Sequence, residues 1–232
     1  MVHLRYICAT LGALACGAAL QANAASDIFA TPPSSMVGGL PVDASVTFTT
    51  GSGVITITLN NLLANPTSAT QVLSDLDFTL SNGATTGTLA NSSAQQISIA
   101  NHIGTPGTTG ATGWVLNNNV SGGLQLDALG APNAPSRTII GPGPYTAANP
   151  SINGNVPHNP FLNGTASFTV DVANVTSATT VTGATFSFTT AAGNNIPGTM
   201  KPPTSVPEPA SFALLVMGLA GLGLARRRDR KV

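Results

Sequence analysis

Charged residues make up only 7% of this 232-residue sequence, and basic residues are nearly absent from its middle. Between residues 25 and 206 the only cations are Arg137 and Lys201. The same stretch contains six aspartates, so its net charge is −4. Proteins that bind nucleic acid neutralise phosphates with clusters of Lys and Arg. The sequence therefore excludes nucleic acid as a partner of this region.

Cysteine is missing from the sequence after Cys16, and the only other cysteine is Cys8. Both lie in an N-terminal segment with one early cation, Arg5, and an apolar run over residues 7–20, which is typical of a secretory signal peptide. Removal of that segment would leave a protein without disulfides, thiol catalysis or cysteine metal sites.

The cleavage site is predicted from an A-x-A pattern formed by Ala22 and Ala24, which places the cut before Ala25 and the signal peptide at residues 1–24. The Sec translocon and signal peptidase are the partners expected at this end. Lipidation of Cys16 is the alternative, but Ala13 stands where bacterial lipoprotein signals usually have Leu or a similar branched residue.

Groups that carry catalysis are also scarce. No glutamate precedes Glu208, no Gly-x-Ser-x-Gly elbow is present, and the histidines after the leader are His102 and His158 in Gly/Pro-rich contexts. Loop histidines bonded to nearby backbone are the favoured interpretation, with a base or metal ligand as the alternative. The sequence predicts no enzyme, no catalytic residue, no metal site and no cofactor.

Two further candidates remain open at this stage. Asp75 and Asp77 lie side by side on one face of a predicted strand. Exposure to solvent is the favoured interpretation, and a Ca²⁺ site completed by loop carbonyls is the alternative. Trp114 is the only tryptophan; it is expected in the core, with a carbohydrate platform as the alternative.

What the sequence does contain is β-strand alternation. Val46 and Phe48 share one face of a predicted strand, and after the turn at residues 51–53 the next strand places Ile55, Ile57 and Leu59 on one face, which predicts a hairpin. In the segment SDLDFTLS, Leu76, Phe78 and Leu80 are expected to point inward and the two aspartates outward.

Shorter candidate strands are QQISIA and GWVLN, and two longer ones end the body. The stretches 166–172 and 184–188 each place apolar side chains on one face and are predicted to be neighbouring antiparallel strands. One-sided alternation indicates facing sheets. The predicted fold is an all-β, antiparallel β-sandwich-like single domain over residues 25–197, with a long surface loop at 129–160 and a linker at 198–206.

The last residues combine an apolar run with concentrated positive charge. Residues 210–225 are predicted to form a transmembrane helix that is short for a bilayer but sufficient with snorkelling. The cations that follow predict a cytoplasmic stop-transfer cluster, with the body outside. They are Arg226, Arg227, Arg228, Arg230 and Lys231.

The motif Val206, Pro207, Glu208, Pro209, followed by the short span and the Arg cluster, resembles the PEP-CTERM sorting signal of Gram-negative bacteria, here over residues 207–232. The resemblance implies that an exosortase recognises the tail and cleaves near Pro207-Glu208-Pro209. It also implies transient anchoring in the inner membrane, then delivery to the cell surface or extracellular matrix, often beside exopolysaccharide in biofilms.

The function expected from these observations is structural or adhesive, with exopolysaccharide as a candidate partner. One alternative is a secreted carbohydrate-binding or carbohydrate-active β-sandwich module. Another is a periplasmic protein that stays anchored in the inner membrane.

Overall fold

The computed structural model describes residues 26–202, so the predicted signal peptide and the predicted C-terminal transmembrane helix lie outside the described residues. The described chain is all-β, as predicted, with a single 3₁₀ turn at Ala69–Gln71. Its strands are β1 (Ser26–Ala30), β2 (Met36–Val37), β3 (Leu40–Pro41), β4 (Ala44–Thr50), β5 (Val54–Asn61), β6 (Leu73–Leu80), β7 (Thr88–Ala100), β8 (Ile103–Gly110), β9 (Val115–Val120), β10 (Gly123–Asp127), β11 (Ile139–Ile140), β12 (Phe161–Asp171), β13 (Val181–Phe188), β14 (Asn195–Pro197) and β15 (Thr199–Lys201).

Thirteen of these strands form one continuous sheet, and β2 and β3 form a separate small hairpin. The main path runs β14-β13-β6-β11-β12-β5-β4-β1-β15; β10 and β9 extend from β6, and β7 and β8 extend from β12. We call the part with β9, β10, β6, β13 and β14 the β6 half, and the part with β8, β7, β12, β5, β4, β1 and β15 the β5 half. Every pairing is antiparallel except that of β11 with β12.

The two halves face each other across one hydrophobic core. The ring of Phe48 in β4 lies 5.3 Å from the ring of Phe78 in β6, and Phe29 in β1 meets Phe48 edge-on at 6.2 Å. The shared core cluster draws buried side chains from both halves. The sheet therefore folds over on itself. The apolar face that alternation gives to the strands of one half is covered by the other half.

The predicted hairpin is confirmed by β4 and β5. Phe48 pairs with Ile57, the inward residues of both strands are buried, and the Gly51 amide donates to the Val54 carbonyl at the turn. Gly53 adopts φ +73°, a left-handed conformation that glycine enters without a steric penalty. Alternation with a glycine turn was thus sufficient to locate this pair.

The chain crosses between the two halves at Gly198. β14 pairs with β13 in the β6 half, and after this one glycine β15 pairs with β1 in the β5 half. A methyl group on residue 198 would lie 2.9 Å from Phe186 Cε2 and 3.0 Å from the Ala184 carbonyl oxygen. Close approach of the backbone to the core therefore requires glycine here. Thr199–Lys201 belongs to the segment predicted as linker, and it forms β15.

The prediction that the segments 166–172 and 184–188 are neighbouring strands is wrong. β12 pairs with β5, β7 and β11, whereas β13 pairs with β6 and β14. The chain between them passes from the β5 half to the β6 half. Each strand shows the predicted burial of alternate residues, because alternation defines a buried face and leaves the neighbouring strand open.

The long segment 129–160 is irregular for most of its length, as predicted, but it is not only a surface loop. Ile139–Ile140 forms β11, which bridges β6 and β12. Beyond it, Tyr145 and Ile152 join a second buried cluster with Ile99 and Phe161. This segment therefore covers one end of the sheet.

Candidate functional site

A groove with polar walls lies on the outer face of the β6 half. Its floor is formed by outward side chains of β6 and β13, where Asp77 stands opposite Thr185 and Thr79 opposite Gly183. One wall is the turn between β9 and β10, and the other is the segment 195–200, which contains β14, Gly198 and the start of β15. The space enclosed is about 560 Å³, and we call it the outer groove.

Hydroxyl and amide groups dominate the polar lining of the outer groove. The hydroxyl oxygens of Thr79 and Thr182 lie 2.9 Å apart and hydrogen-bond to each other. The side-chain oxygen of Asn195 accepts a hydrogen bond from the Ser187 hydroxyl at 2.7 Å, so its NH₂ group is left to donate. The lining includes neither Arg137 nor Lys201, the two cations of the described residues. The groove is therefore polar without positive charge.

Asp77 supplies the carboxylate of the groove. It is half-buried, and its Oδ1 atom is buried without a hydrogen-bond partner within residues 26–202. Burial raises the pKa of Asp77, a hydrogen bond from Gln125 acts in the opposite direction, and the charge of Asp127 raises it further. Because Asp77 itself lines the groove, its carboxylate is the one acidic group that the lining offers.

A second carboxyl group, Asp75, lies next to this groove and is almost completely covered. It faces outward from β6 between Ser187 of β13 and Asp127 of β10, yet its exposed fraction is 6%. Sequence reasoning expected a solvated side chain, and that expectation is wrong. Outward orientation did not bring solvent exposure, because the neighbouring strands continue the sheet on both sides of Asp75.

Burial raises the pKa of Asp75 to about 8, and the adjacent Asp127 carboxyl adds to this through a hydrogen bond and its charge. The Asp127 side chain is held by its own loop: Oδ1 accepts from the Leu129 amide at 2.6 Å and the Gly130 amide at 2.9 Å. Its Oδ2 accepts from Asn117 at 3.0 Å. With a pKa of about 8, the Asp75 carboxyl is mostly protonated at neutral pH and presents an O–H donor to the Asp127 side chain.

Trp114 lies in the core, as expected, and not on a binding surface. Its exposed fraction is 4%, its ring centroid is 5.3 Å from that of Phe168, and its Nε1–H donates to the Arg137 carbonyl at 2.7 Å. A buried tryptophan with its only donor satisfied is a packing residue. The platform alternative finds no support here.

The two histidines bond to nearby loop groups, as predicted. His158 Nδ1 lies 2.6 Å from the Ser151 carbonyl oxygen, and His102 Nδ1 lies 3.2 Å from the Tyr145 carbonyl oxygen. The second ring nitrogen of His102 lies 3.2 Å from the Asn153 amide nitrogen. Neither histidine lines the outer groove, so the structure does not unite them with Trp114 and the aspartates.

A smaller groove of about 410 Å³ lies beside His102 and Tyr145. Its walls include Ile103, which is 65% exposed, and the Pro142 and Pro144 loop. Burial raises the pKa of Tyr145 to about 12, and its hydroxyl donates to the Gly141 carbonyl at 3.0 Å. With its tyrosine and histidine already bonded to backbone, this groove offers fewer free polar groups than the outer groove.

Within residues 26–202 no group of three or more His, Cys, Asp or Glu side chains is arranged to hold a metal ion. The Ca²⁺ alternative for Asp75 and Asp77 therefore gains no support from their geometry. In the same part of the chain no helix is long and apolar enough to cross a membrane.

The chain ends in a sorting signal. A family model described as a PEP-CTERM protein-sorting motif matches residues 205–231, starting four residues after the last strand. The chain is therefore an exported protein that carries an exosortase-directed signal at its C-terminal end. No curated protein and no solved structure matches the chain.

Most of the outer groove was not found by sequence reasoning. Of its polar residues only Asp77 was considered, and Asn195, Thr182 and Thr185 were not. The alternation of Leu124 and Leu126 with Gln125 and Asp127 is the one signal that could have placed a strand beside the aspartates. The predicted sorting and cleavage residues, Ala22 to Ala25 and Val206 to Lys231, lie outside the described residues.

Proposed function

We propose that this chain is a non-enzymatic structural or adhesive protein of the cell surface or extracellular matrix that acts alongside exopolysaccharide. The observation that carries the proposal is the sorting motif at 205–231. It starts four residues after β15, the last strand of the body, which pairs with β1. In this proposal the Sec translocon exports the chain, signal peptidase cleaves before Ala25, and the C-terminal helix holds the body in the inner membrane until exosortase cleaves near Pro207–Pro209.

The described body supports a role in binding more than one in catalysis. Asp75 is covered, Asp77 lies in a groove without histidine, and the ring nitrogen Nδ1 of each histidine lies next to a backbone carbonyl. General acid–base catalysis needs a titrating group within hydrogen-bond reach of the reacting atom. A rigid sheet with a polar groove fits adhesion better.

The processing steps are tested by measuring the intact mass of the protein from envelope and medium fractions. We expect a form that begins at Ala25 and ends near residues 207–209. Replacement of Glu208 by Gln tests recognition of the motif, and Asp229→Asn in the basic cluster is the control. A mature form that still carries Arg226 to Lys231 would contradict the sorting steps and support permanent anchoring.

The adhesive role is tested by deleting the gene and measuring the cohesion of biofilm or flocs under shear. We expect weaker cohesion, restored by the wild-type gene. Unchanged cohesion in the deletion strain, with normal export of the protein in the parent, would contradict the adhesive role and leave the sorting steps intact.

A further inference from the structure

We propose that the outer groove is a saccharide-binding site in which Asp77, Thr79 and Thr185 bind the hydroxyl groups of one or two sugar rings. The inference rests on the proposed adhesive function and names the ligand class that the body binds. The groove volume of about 560 Å³ lies within the range of ~300–1,000 Å³ typical of small-ligand sites.

The polar groups of the groove match a ligand that both donates and accepts hydrogen bonds. Threonine hydroxyls do both, the free NH₂ group of Asn195 donates, and the Asp77 carboxylate only accepts. Sugar hydroxyls offer donors to the carboxylate and acceptors to the amide within one ring. Asp77 is the only acidic residue of the lining, and hydrogen bonds to a charged carboxylate are stronger than neutral ones.

The charge of the groove separates saccharides from other polar ligands. A phosphate, sulfate or carboxylate ligand would approach Asp77 with no Lys or Arg in the lining to offset the repulsion. A strongly cationic ligand would find one carboxylate only, that of Asp77. An uncharged polyol meets neither obstacle.

The remaining walls are apolar. Pro197, Val120 and Met200 line the same space, and Met200 is 48% exposed although it is a large hydrophobic residue. A pyranose ring presents apolar C–H groups beside its hydroxyls, and the flexible thioether of methionine adapts to such surfaces. The groove thus provides both kinds of contact that a sugar ring needs.

The test uses the full-length chain in a detergent without a sugar headgroup, together with separate tetrasaccharides of glucose, mannose, galactose and N-acetylglucosamine. Binding is measured by saturation-transfer NMR and by titration. Asp77→Asn keeps the shape of the side chain but removes its charge, and Thr185→Val removes one hydroxyl. Thr56→Val, an exposed outward threonine of β5, is the matched control.

We expect at least one tetrasaccharide to bind, with affinity about tenfold lower in Asp77→Asn and unchanged in Thr56→Val. Absence of binding to all four probes would overturn the inference, as would equal binding by the groove variants and the wild type. Binding of an oligolysine peptide in preference to every sugar would also overturn it. If Asp77→Asn loses sugar binding but fully restores cohesion in the deletion strain, the groove binds sugar and the adhesive role lies elsewhere.

Discussion

The buried Asp75 carboxyl group should make the stability of the body depend on pH in an unusual direction. Its pKa is about 8 in the folded protein, against about 3.9 in an unfolded chain. A carboxyl group with a raised pKa contributes its full stability below the unfolded pKa and loses it as pH rises through the folded pKa. The window of loss is therefore about pH 4 to pH 8.

The size of the effect follows from the linkage relation. Each pH unit in that window costs about 1.4 kcal/mol of unfolding free energy, so the step from pH 5 to pH 7 costs at most about 3 kcal/mol from this group. Asp75→Asn removes the titration and retains a donor toward Asp127. The variant should therefore be more stable than the wild type at pH 7 and lose the advantage toward pH 5.

Urea unfolding at half-unit pH steps measures this difference, and Trp114 provides the signal because the only tryptophan is buried in the core. Subtracting the two stability curves cancels every group that the two proteins share. Asp171→Asn, at an exposed aspartate of β12, is the control and should leave the shape of the curve unchanged. Parallel curves for wild type and Asp75→Asn between pH 5 and pH 7 would refute the assignment of the proton to Asp75.

Three further substitutions test the packing of the body, each by the same urea unfolding. Gly198→Ala should cost about 1–3 kcal/mol because its methyl group meets Phe186 and the Ala184 carbonyl, whereas Gly110→Ala, with no atom within 4 Å, should cost far less; equal costs would contradict the crossing geometry. Phe48→Ala should cost about 3–5 kcal/mol by leaving a cavity between the two halves, and Ile103→Ala, at a residue 65% exposed, should change little. Asn61→Ala should cost about 2 kcal/mol because the buried carbonyls of Gln71 and Ile139 lose their shared donor. Asn91→Ala, at an exposed asparagine, is the control and should be neutral. A neutral Asn61→Ala would show that other donors satisfy these carbonyls.

The sequence was sufficient for the fold class and for the local hairpin, because both depend on short-range patterns. The alternation in β4 and β5 and the glycine turn between them lie within 18 residues. Pairing between distant strands was not predictable in the same way. β6 lies between β13 and β10, and nothing in the alternation of Leu76 and Phe78 specifies either neighbour.

The site was less predictable than the fold for the same reason. Asp75 and Asp127 face each other only because β6 and β10 pair in that register, and Asn195 reaches the groove only because β14 pairs with β13. Burial of a charged side chain depends on what the rest of the sheet places around it. Sequence motifs therefore identified the sorting signal, a short contiguous pattern, and missed the groove.

The positions of the chain ends connect the groove with the sorting signal. Ile28 in β1 stands opposite Lys201 in β15, and their antiparallel pairing places the start of the body beside its end. The last residue that lines the outer groove is Met200, and the sorting motif starts at residue 205. Cleavage near Pro207–Pro209 would thus remove no groove residue and would leave the pairing of β15 with β1 intact. A body that binds saccharide before processing should bind it equally well afterwards, because the part of the chain that directs sorting and the part that forms the groove do not overlap.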